Sequence, residues 1–170
     1  MFLIVGLGNP GKEYEHTPHN AGFMALDEYK KTHGEQKDLI FLKPQTFMNK
    51  SGIAIKKIIR NLKFEIRNLI VMHDDIDLPL GTLKISFGSG SGGHKGVESI
   101  IKNLGTKDFI RIRIGIKPAT GKPANVEEFV LKKFSKQELQ TLKQAIENSS
   151  SAIETIPKHG LEKAMTEWNK

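Results

Sequence analysis

The sequence predicts an α/β fold, a single domain over residues 1–170 in which a twisted, mixed and largely parallel sheet is flanked by helices. Three observations carry this expectation. Strand-like and helix-like patterns alternate along the chain. Phe2–Val5 and Leu69–Met72 are wholly apolar, as strands buried on both faces are. The length of 170 residues is enough for one ordinary domain with a full core and too short for two, and no repeat or linker interrupts it.

Each element has its own reason. Phe2–Val5 forms the first strand, and Gly6, Gly8 and Gly11 follow where it ends. Asn20 stands where it can cap a helix from Ala21 to Lys31, in which Phe23, Leu26 and Tyr29 give a partial apolar face. Asp38–Lys43 reads as a strand stopped by Pro44. Ile55, Ile58, Ile59 and Leu62 recur at helical spacing and predict a helix from Asn49 or Ser51 to Leu62. Leu69–Met72 is a buried strand, followed directly by His73–Asp77 and then by Asp77–Gly81, which has the residues of a turn. Thr82–Phe87 alternates as a half-buried strand. Val97, Ile100, Ile101 and Leu104 mark a short helix that Gly105 can terminate. Phe109–Ile116 alternates most clearly, with Arg111 and Arg113 on one face and isoleucines on the other. Ser135 and Glu138 make a capping box for a helix whose Leu139, Leu142, Ala145, Ile146, Ile153 and Ile156 form a buried stripe. A last helix near Leu161–Trp168 packs on the core.

Composition narrows the function. The 26 basic residues exceed the 19 acidic ones, giving a net charge of +7 and pointing to a polyanionic partner. With no cysteine, thiol catalysis, disulfides and cysteine metal sites are excluded. The N-terminus lacks the apolar core of a signal peptide and no stretch approaches membrane-spanning length, so a cytoplasmic protein is expected.

The densest chemistry lies in Gly6–Gly22, at the end of the first strand, where α/β proteins form their sites. Gly6, Gly8 and Gly11 fit the spacing of a dinucleotide fold, and Gly6, Gly11 and Lys12 fit most of a P-loop. Both readings fail on context, because Lys12–His19 has no apolar period and contains Pro18, and Glu13 replaces the required Ser or Thr. What remains is a rigid loop presenting Asn9, Tyr14, His16, His19 and Asn20, with Asn9 held extended by Pro10. Three further stretches supply partners. Phe47–Gly52 lies at a strand-to-helix junction, where Asn49 can reach a crevice or equally serve as a helix cap. His73–Asp77 offers an aspartate to orient His19, fixing its tautomer while the other ring nitrogen takes a proton from water. The same one histidine and three aspartates also make a ligand set for a divalent ion, ranked below the His–Asp pair because Asp77 can simply brace its turn. Gly88–Gly96, placed before a helix, offers backbone N–H groups to an anionic ligand, with His94 and Lys95 at its rim.

Taken in order, Val5–Gly11 with Tyr14 and His19–Gly22, then Phe47-Met-Asn-x-Ser-Gly52, His73-Asp74 with Asp77-Leu-Pro79, Gly92-Gly-His94 and Arg111–Ile116 resemble the blocks of bacterial peptidyl-tRNA hydrolase. The resemblance implies an enzyme that cuts the ester between peptide and tRNA, with His19 as general base and Asp74 as its orienting partner. It implies that Asn9 and Asn49 hold the substrate near the scissile ester, with Tyr14, Phe47, Met48 and Lys95 also on the substrate side. Lys84 and Arg113 are candidates for the region of the tRNA 5′-phosphate. It further implies a monomer with no obligate protein partner and no cofactor. The chemistry agrees, since an ester has a good leaving group and a positioned water with a general base, worth about 10²–10⁴-fold, can suffice without metal. Asparagine amides both donate to and accept from a peptide backbone. Lys95 stands where the family usually has asparagine, Pro18 where arginine is common and Ser86 where a second basic residue often serves the tRNA. The segment 32–38 is shorter than the family's usual connection. Two other readings stay open: a non-catalytic RNA-binding relative of the same fold, and a metal-dependent phosphoesterase using His73, Asp74, Asp75 and Asp77.

Overall fold

The computed structural model describes residues Met1–Lys170. Five strands, β1 (Phe2–Gly6), β2 (Leu39–Leu42), β3 (Leu69–Pro79), β4 (Leu83–Phe87) and β5 (Ile110–Lys117), form one sheet in the order β2-β1-β3-β5-β4. All neighbours are parallel except β4, which runs antiparallel to β5 and makes the sheet mixed. Six helices flank it: α1 (Ala21–His33), α2 (Ser51–Ile59), α3 (Lys95–Leu104), α4 (Val126–Val130), α5 (Lys136–His159) and α6 (Leu161–Trp168).

The period of two along each strand divides the core into two layers. Ile4, Ile70, Met72, Ile85, Ile112 and Ile114 face one side, where Leu26 and Tyr29 of α1 and Leu142, Ile146 and Ile153 of α5 cover them. Leu3, Val5, Leu69 and Val71 face the other, under Ile55 of α2 and Val97 and Ile100 of α3. Burial of each such side chain contributes roughly 1.5–3 kcal/mol. The Ser135–Glu138 capping box opens α5, and Gly105 closes α3 in the left-handed region.

Three local expectations need correction, and one helix is additional. β3 does not stop at Met72. Beyond that residue β1 has ended, its last pair being Gly6 with Met72, but β5 continues alongside, pairing His73 with Arg113, Asp74 with Ile114 and Asp75 with Gly115. Backbone pairing therefore carries the polar run His73–Asp77 inside the strand. α2 ends at Ile59, short of Leu62. Asn20 does not cap α1 with its side chain, which is engaged elsewhere. The short helix α4, opened by the Asn125 side chain, was not anticipated.

One close approach sets the position of the N-terminal loop. A Cβ on Gly22 would lie 2.3 Å from the Met72 carbonyl oxygen and 2.6 Å from the Leu7 nitrogen. Only glycine lets the start of α1 lie flush against β3 at that point, which brings the preceding turn, with His19, over Asp74.

Candidate active site

The site begins with a knot of backbone and amide groups. The Asn9 N–H donates to Asn20 Oδ1 at 2.8 Å, and Asn20 Nδ2 donates back to the Asn9 carbonyl at 3.0 Å. The Met48 N–H in turn donates to Asn9 Oδ1 at 2.8 Å. These three bonds tie the loop after β1 to the turn before α1 and to the turn before α2. With Oδ1 committed, the Asn9 Nδ2 group is the polar end left to a ligand. Asn9 lines a cavity of about 400 Å³ together with Phe23, Lys43 and Gln45.

On β3, Asp74 is buried and accepts from two histidines. His19 Nδ1 lies 2.9 Å from Oδ2, and His94 Nε2 lies 2.7 Å from Oδ1. The His94 ring is oriented from its other edge, where Nδ1 accepts the backbone N–H groups of Gly96 and Val97 and so caps α3. A ring nitrogen that accepts N–H bonds carries no proton, so Nε2 is the donor to Asp74. This corrects the expectation that His94 sits at the rim: it is held in the centre, its side chain 8 % exposed. Gly92 and Gly93, both with positive φ, let the glycine-rich loop turn tightly enough to deliver it.

The electrostatics follow from this geometry. Burial opposes ionisation of Asp74, but electrostatic attraction to His19 and His94 and the hydrogen bonds they make override it and hold its carboxyl far below the usual carboxylate range. Burial also disfavours a proton on His19, yet the Asp74 charge and hydrogen bond together outweigh it and raise its pKa above 6.5. His73 behaves oppositely. Fully buried, near His94 and Arg111, it is held well below 6.5 and stays neutral, with Nδ1 donating to the Asp74 carbonyl at 2.7 Å.

A crevice of about 490 Å³ opens beside this group, and its lining includes His19, Asp74, Lys95, Arg113 and Lys122. Its floor is fixed by Arg111, whose guanidinium bonds Ser89 Oγ and the Gly90 carbonyl, strapping the glycine-rich loop to β5. His19 is 12 % exposed, and with Nδ1 committed to Asp74 its Nε2 is the nitrogen available to the crevice.

The other predicted residues are distributed around it. Tyr14 and Phe47 meet edge to face with ring centroids 6.2 Å apart, and Phe47 is 55 % exposed. Asn49 is exposed beside them on the turn before α2. The Met48 side chain is buried in the core under α2 and α3, so it is the Met48 backbone that reaches Asn9. Lys95 points to Glu98 at 3.6 Å on the crevice wall. Lys84 is exposed on β4, directly across from Arg113, whose Nε donates to Asp75 at 2.7 Å. The four-residue metal set does not converge. Asp75 is paired with Arg113 and Asp77 with Lys122, so neither joins Asp74 in a ligand set. The donors that do cluster, within 4.8 Å of one another, are those of His19, Asp74 and His94.

Sequence reasoning missed the central place of His94, the strap made by Arg111 and the contribution of Lys122. The Gly-Gly-His run before a helix was a signal for the first. For Arg111 the strand alternation gave its face but not the loop it would hold, and Lys122 had no signal, since each contact depends on where a loop returns to the sheet.

Fold and site together define a class: an α/β protein in which a buried aspartate on the central strand of the sheet orients a histidine from the turn before α1, equipped for general-base hydrolysis. The particular family follows from comparison. A model of the peptidyl-tRNA hydrolase family matches residues 3–170, and the chain belongs to that family. It is 43 % identical to the peptidyl-tRNA hydrolase of Thermodesulfovibrio yellowstonii over the whole of both chains. It is 44 % identical to that of Aliarcobacter butzleri, covering 92 % of each. The crystal structure of peptidyl-tRNA hydrolase from Acinetobacter baumannii superimposes with a TM-score of 0.89 at 29 % identity, over 99 % of this chain and 94 % of that one.

Proposed function

We propose that this chain hydrolyses the ester between peptide and tRNA in peptidyl-tRNA, with His19 as general base and Asp74 as its orienting partner. The observation that carries this reading is the His19 Nδ1–Asp74 contact at 2.9 Å, which commits one ring nitrogen and presents the other to the crevice.

Neutral His19 accepts a proton at Nε2 as water attacks the ester carbonyl. The charge of Asp74 stabilises the imidazolium that forms. As the tetrahedral intermediate collapses, the bond from the carbonyl carbon to the ribose oxygen breaks, and the imidazolium returns its proton to that oxygen. The products are a free peptide carboxyl and a tRNA hydroxyl, and the base is regenerated. Asn9, through Nδ2, and Asn49 hold the peptide backbone. Tyr14 and Phe47 offer it aromatic surface, with Met48 behind them as support. Lys84 and Arg113 face the phosphate at the tRNA terminus, and Lys95 adds a positive charge to the crevice wall. No helix is long and apolar enough to cross a membrane, and a substrate produced by translation places the work in the cytoplasm, by a monomer without an obligate protein partner or cofactor.

The test is release of N-blocked aminoacyl groups from tRNA by the purified protein in chelator, beside a His19→Ala variant. Release that persists in chelator and is lost in the variant is the expected result. Activity that requires a divalent ion would favour the His19–Asp74–His94 cluster as a metal centre. Salt-sensitive RNA binding without turnover would leave a non-catalytic relative.

A further inference from the structure

The sheet has two edges, and the fold treats them differently. At the β4 edge Asn169 closes the ladder: the Ile85 N–H donates to Asn169 Oδ1 at 2.7 Å, and Asn169 Nδ2 donates to the Ile85 carbonyl at 2.8 Å. The β2 edge has no such plug. The connection from α1 to β2, Gly34–Asp38, is too short to supply another strand, and β2 pairs with β1 alone. The Phe2 N–H donates to the Asp38 carbonyl at 2.9 Å. The period of two therefore turns the N–H and C=O of Ile40 and Leu42 toward β1, and those of Leu39, Phe41 and Lys43 away from it. The Gln36 carbonyl takes the Leu39 N–H at 3.2 Å, and Gln45 Nε2 donates to the Lys43 carbonyl at 3.1 Å. That leaves the Leu39 carbonyl, both groups of Phe41 and the Lys43 N–H without a partner in the fold. All four residues of β2 are half-buried, and the Phe41 ring packs on Tyr29 with centroids 5.4 Å apart, which fixes the strand in place.

The cavity beside Asn9 joins this edge to the site. It shares Asn9 with the site and Lys43 and Gln45 with the end of β2. Its charges balance, Lys12 and Lys43 standing against Glu15 and Asp27, with Lys43 bonded to Asp27 at 2.7 Å. A chain that passes here meets no net charge. β2 runs parallel to β1, and β1 ends at the loop that carries Asn9. A peptide whose C-terminal carbonyl lies at His19 would therefore approach the site in the same direction as β2. In a parallel pairing, one of its residues donates to the Leu39 carbonyl and accepts from the Phe41 N–H. The residue two further on donates to the Phe41 carbonyl and accepts from the Lys43 N–H. These are main-chain groups, so the pairing asks for no particular side chain, and an edge with unpaired groups is the template for strand addition. From β3, which holds Asp74, to a strand outside β2 is three strand spacings, roughly 15 Å, which extended chain covers in about five residues.

We infer that the free edge of β2 is a distal subsite for the peptide of the substrate, which leaves the ester by way of the Asn9 cavity and adds to β2 as a sixth, parallel strand. The inference rests on the ester-hydrolase reading for the identity of that peptide. Continuity of the cavity with the site selects the substrate's own chain over a second copy of the protein or an extended segment of another one. The subsite accepts any sequence and discriminates by length, favouring peptides long enough to reach β2.

The experiment compares an N-blocked dipeptidyl-tRNA with an N-blocked decapeptidyl-tRNA that ends in the same two residues. With the intact protein, kcat/KM is about tenfold higher for the decapeptide, through a lower KM. Two further decapeptides carry N-methyl groups on alternate residues beyond the fourth from the ester, one in each register. A strand turns only alternate N–H groups to its neighbour, so one of these falls to the dipeptide value and the other keeps the gain. Phe41→Pro removes the outward N–H at a position where an edge strand tolerates proline. With its fold confirmed by circular dichroism, the variant loses the length gain and cleaves the dipeptide substrate at the unaltered rate. Equal cleavage of short and long substrates, equal loss from both methylated peptides, or a length gain that survives Phe41→Pro overturns the inference. So does a dimer in sedimentation that Phe41→Pro dissolves, since a second copy is then the occupant. The methylated peptides decide the matter on the intact protein even if the variant does not fold. Cleavage of no substrate at all defeats the hydrolase reading and the inference with it, whereas cleavage without length dependence defeats the inference alone.

Discussion

His94 Nε2 stands 2.7 Å from Asp74 Oδ1, on the same carboxylate that holds His19 from its other oxygen. The aspartate is thus clamped between two rings whose centroids are 4.9 Å apart. His94 touches Asp74 with one ring nitrogen and caps α3 with the other. The two roles separate in His94→Asn, since asparagine remains a good N-cap but is too short to reach Asp74. The variant keeps its melting temperature within a few degrees and loses about tenfold in kcat/KM for ester cleavage. His94→Ala loses a further 0.5–2 kcal/mol of stability with the cap. Full activity in His94→Asn would remove the clamp from the mechanism.

The pH profile reports on His19. Because its pKa is raised above 6.5 by Asp74, kcat/KM for ester cleavage should rise with pH to a plateau, with an inflection above 6.5. Asp74→Asn removes both favourable effects and leaves burial, which disfavours the proton. Its inflection moves down, and its plateau falls by about 10²–10⁴-fold, because the imidazolium formed in the reaction is no longer stabilised. An inflection that stays in place would show that some other group titrates.

His73 makes a stability prediction of the opposite sign. Its folded-state pKa lies well below 6.5, so below pH 6.5 the unfolded chain takes up a proton that the folded chain refuses. Its linkage therefore reduces stability as pH falls, by at most about 1.4 kcal/mol per pH unit. The stability difference between the intact protein and His73→Asn should narrow in urea titrations from pH 7.5 to 5.5. A difference that widens on acidification would mean that His73 is protonated in the fold.

Gly22→Ala tests how the loop is held. Its Cβ would meet the Met72 carbonyl oxygen at 2.3 Å, forcing α1 away from β3 at a cost of about 3 kcal/mol and carrying His19 off Asp74. Gly90→Ala, with open space around the new methyl, changes stability by less than about 0.5 kcal/mol. Equal urea midpoints for the two variants would contradict this packing.

Much of the molecule was legible in the chain. Apolar runs and helical periods located all five strands and five of the six helices, since burial on one or two faces writes a short-range pattern that any stretch carries by itself. Ser135 and Glu138, three residues apart, announced the start of α5 in the same way. His19 and Asp74 were legible as chemistry, because Asp74 follows directly on the apolar run Leu69–Met72, His19 stands in the polar loop between the first strand and α1, and the family's blocks surround both.

What the chain did not reveal depends on partners far away in sequence. β3 runs on through His73–Asp77 because β5, some forty residues later, supplies its hydrogen bonds, and no local apolar pattern records that. Asn20 has the composition of a helix cap, but the Asn9 backbone competes for its side chain and wins. His94 reads as a loop residue until α3 and Asp74 close on its two ring edges. The sequence by itself determined the fold class, the order of elements and the chemical types at the site, because these follow from local period and residue chemistry. Only the tertiary structure decided which histidines share one carboxylate and which cations share one face, because hydrogen-bond direction and strand parity exist only once the sheet has formed.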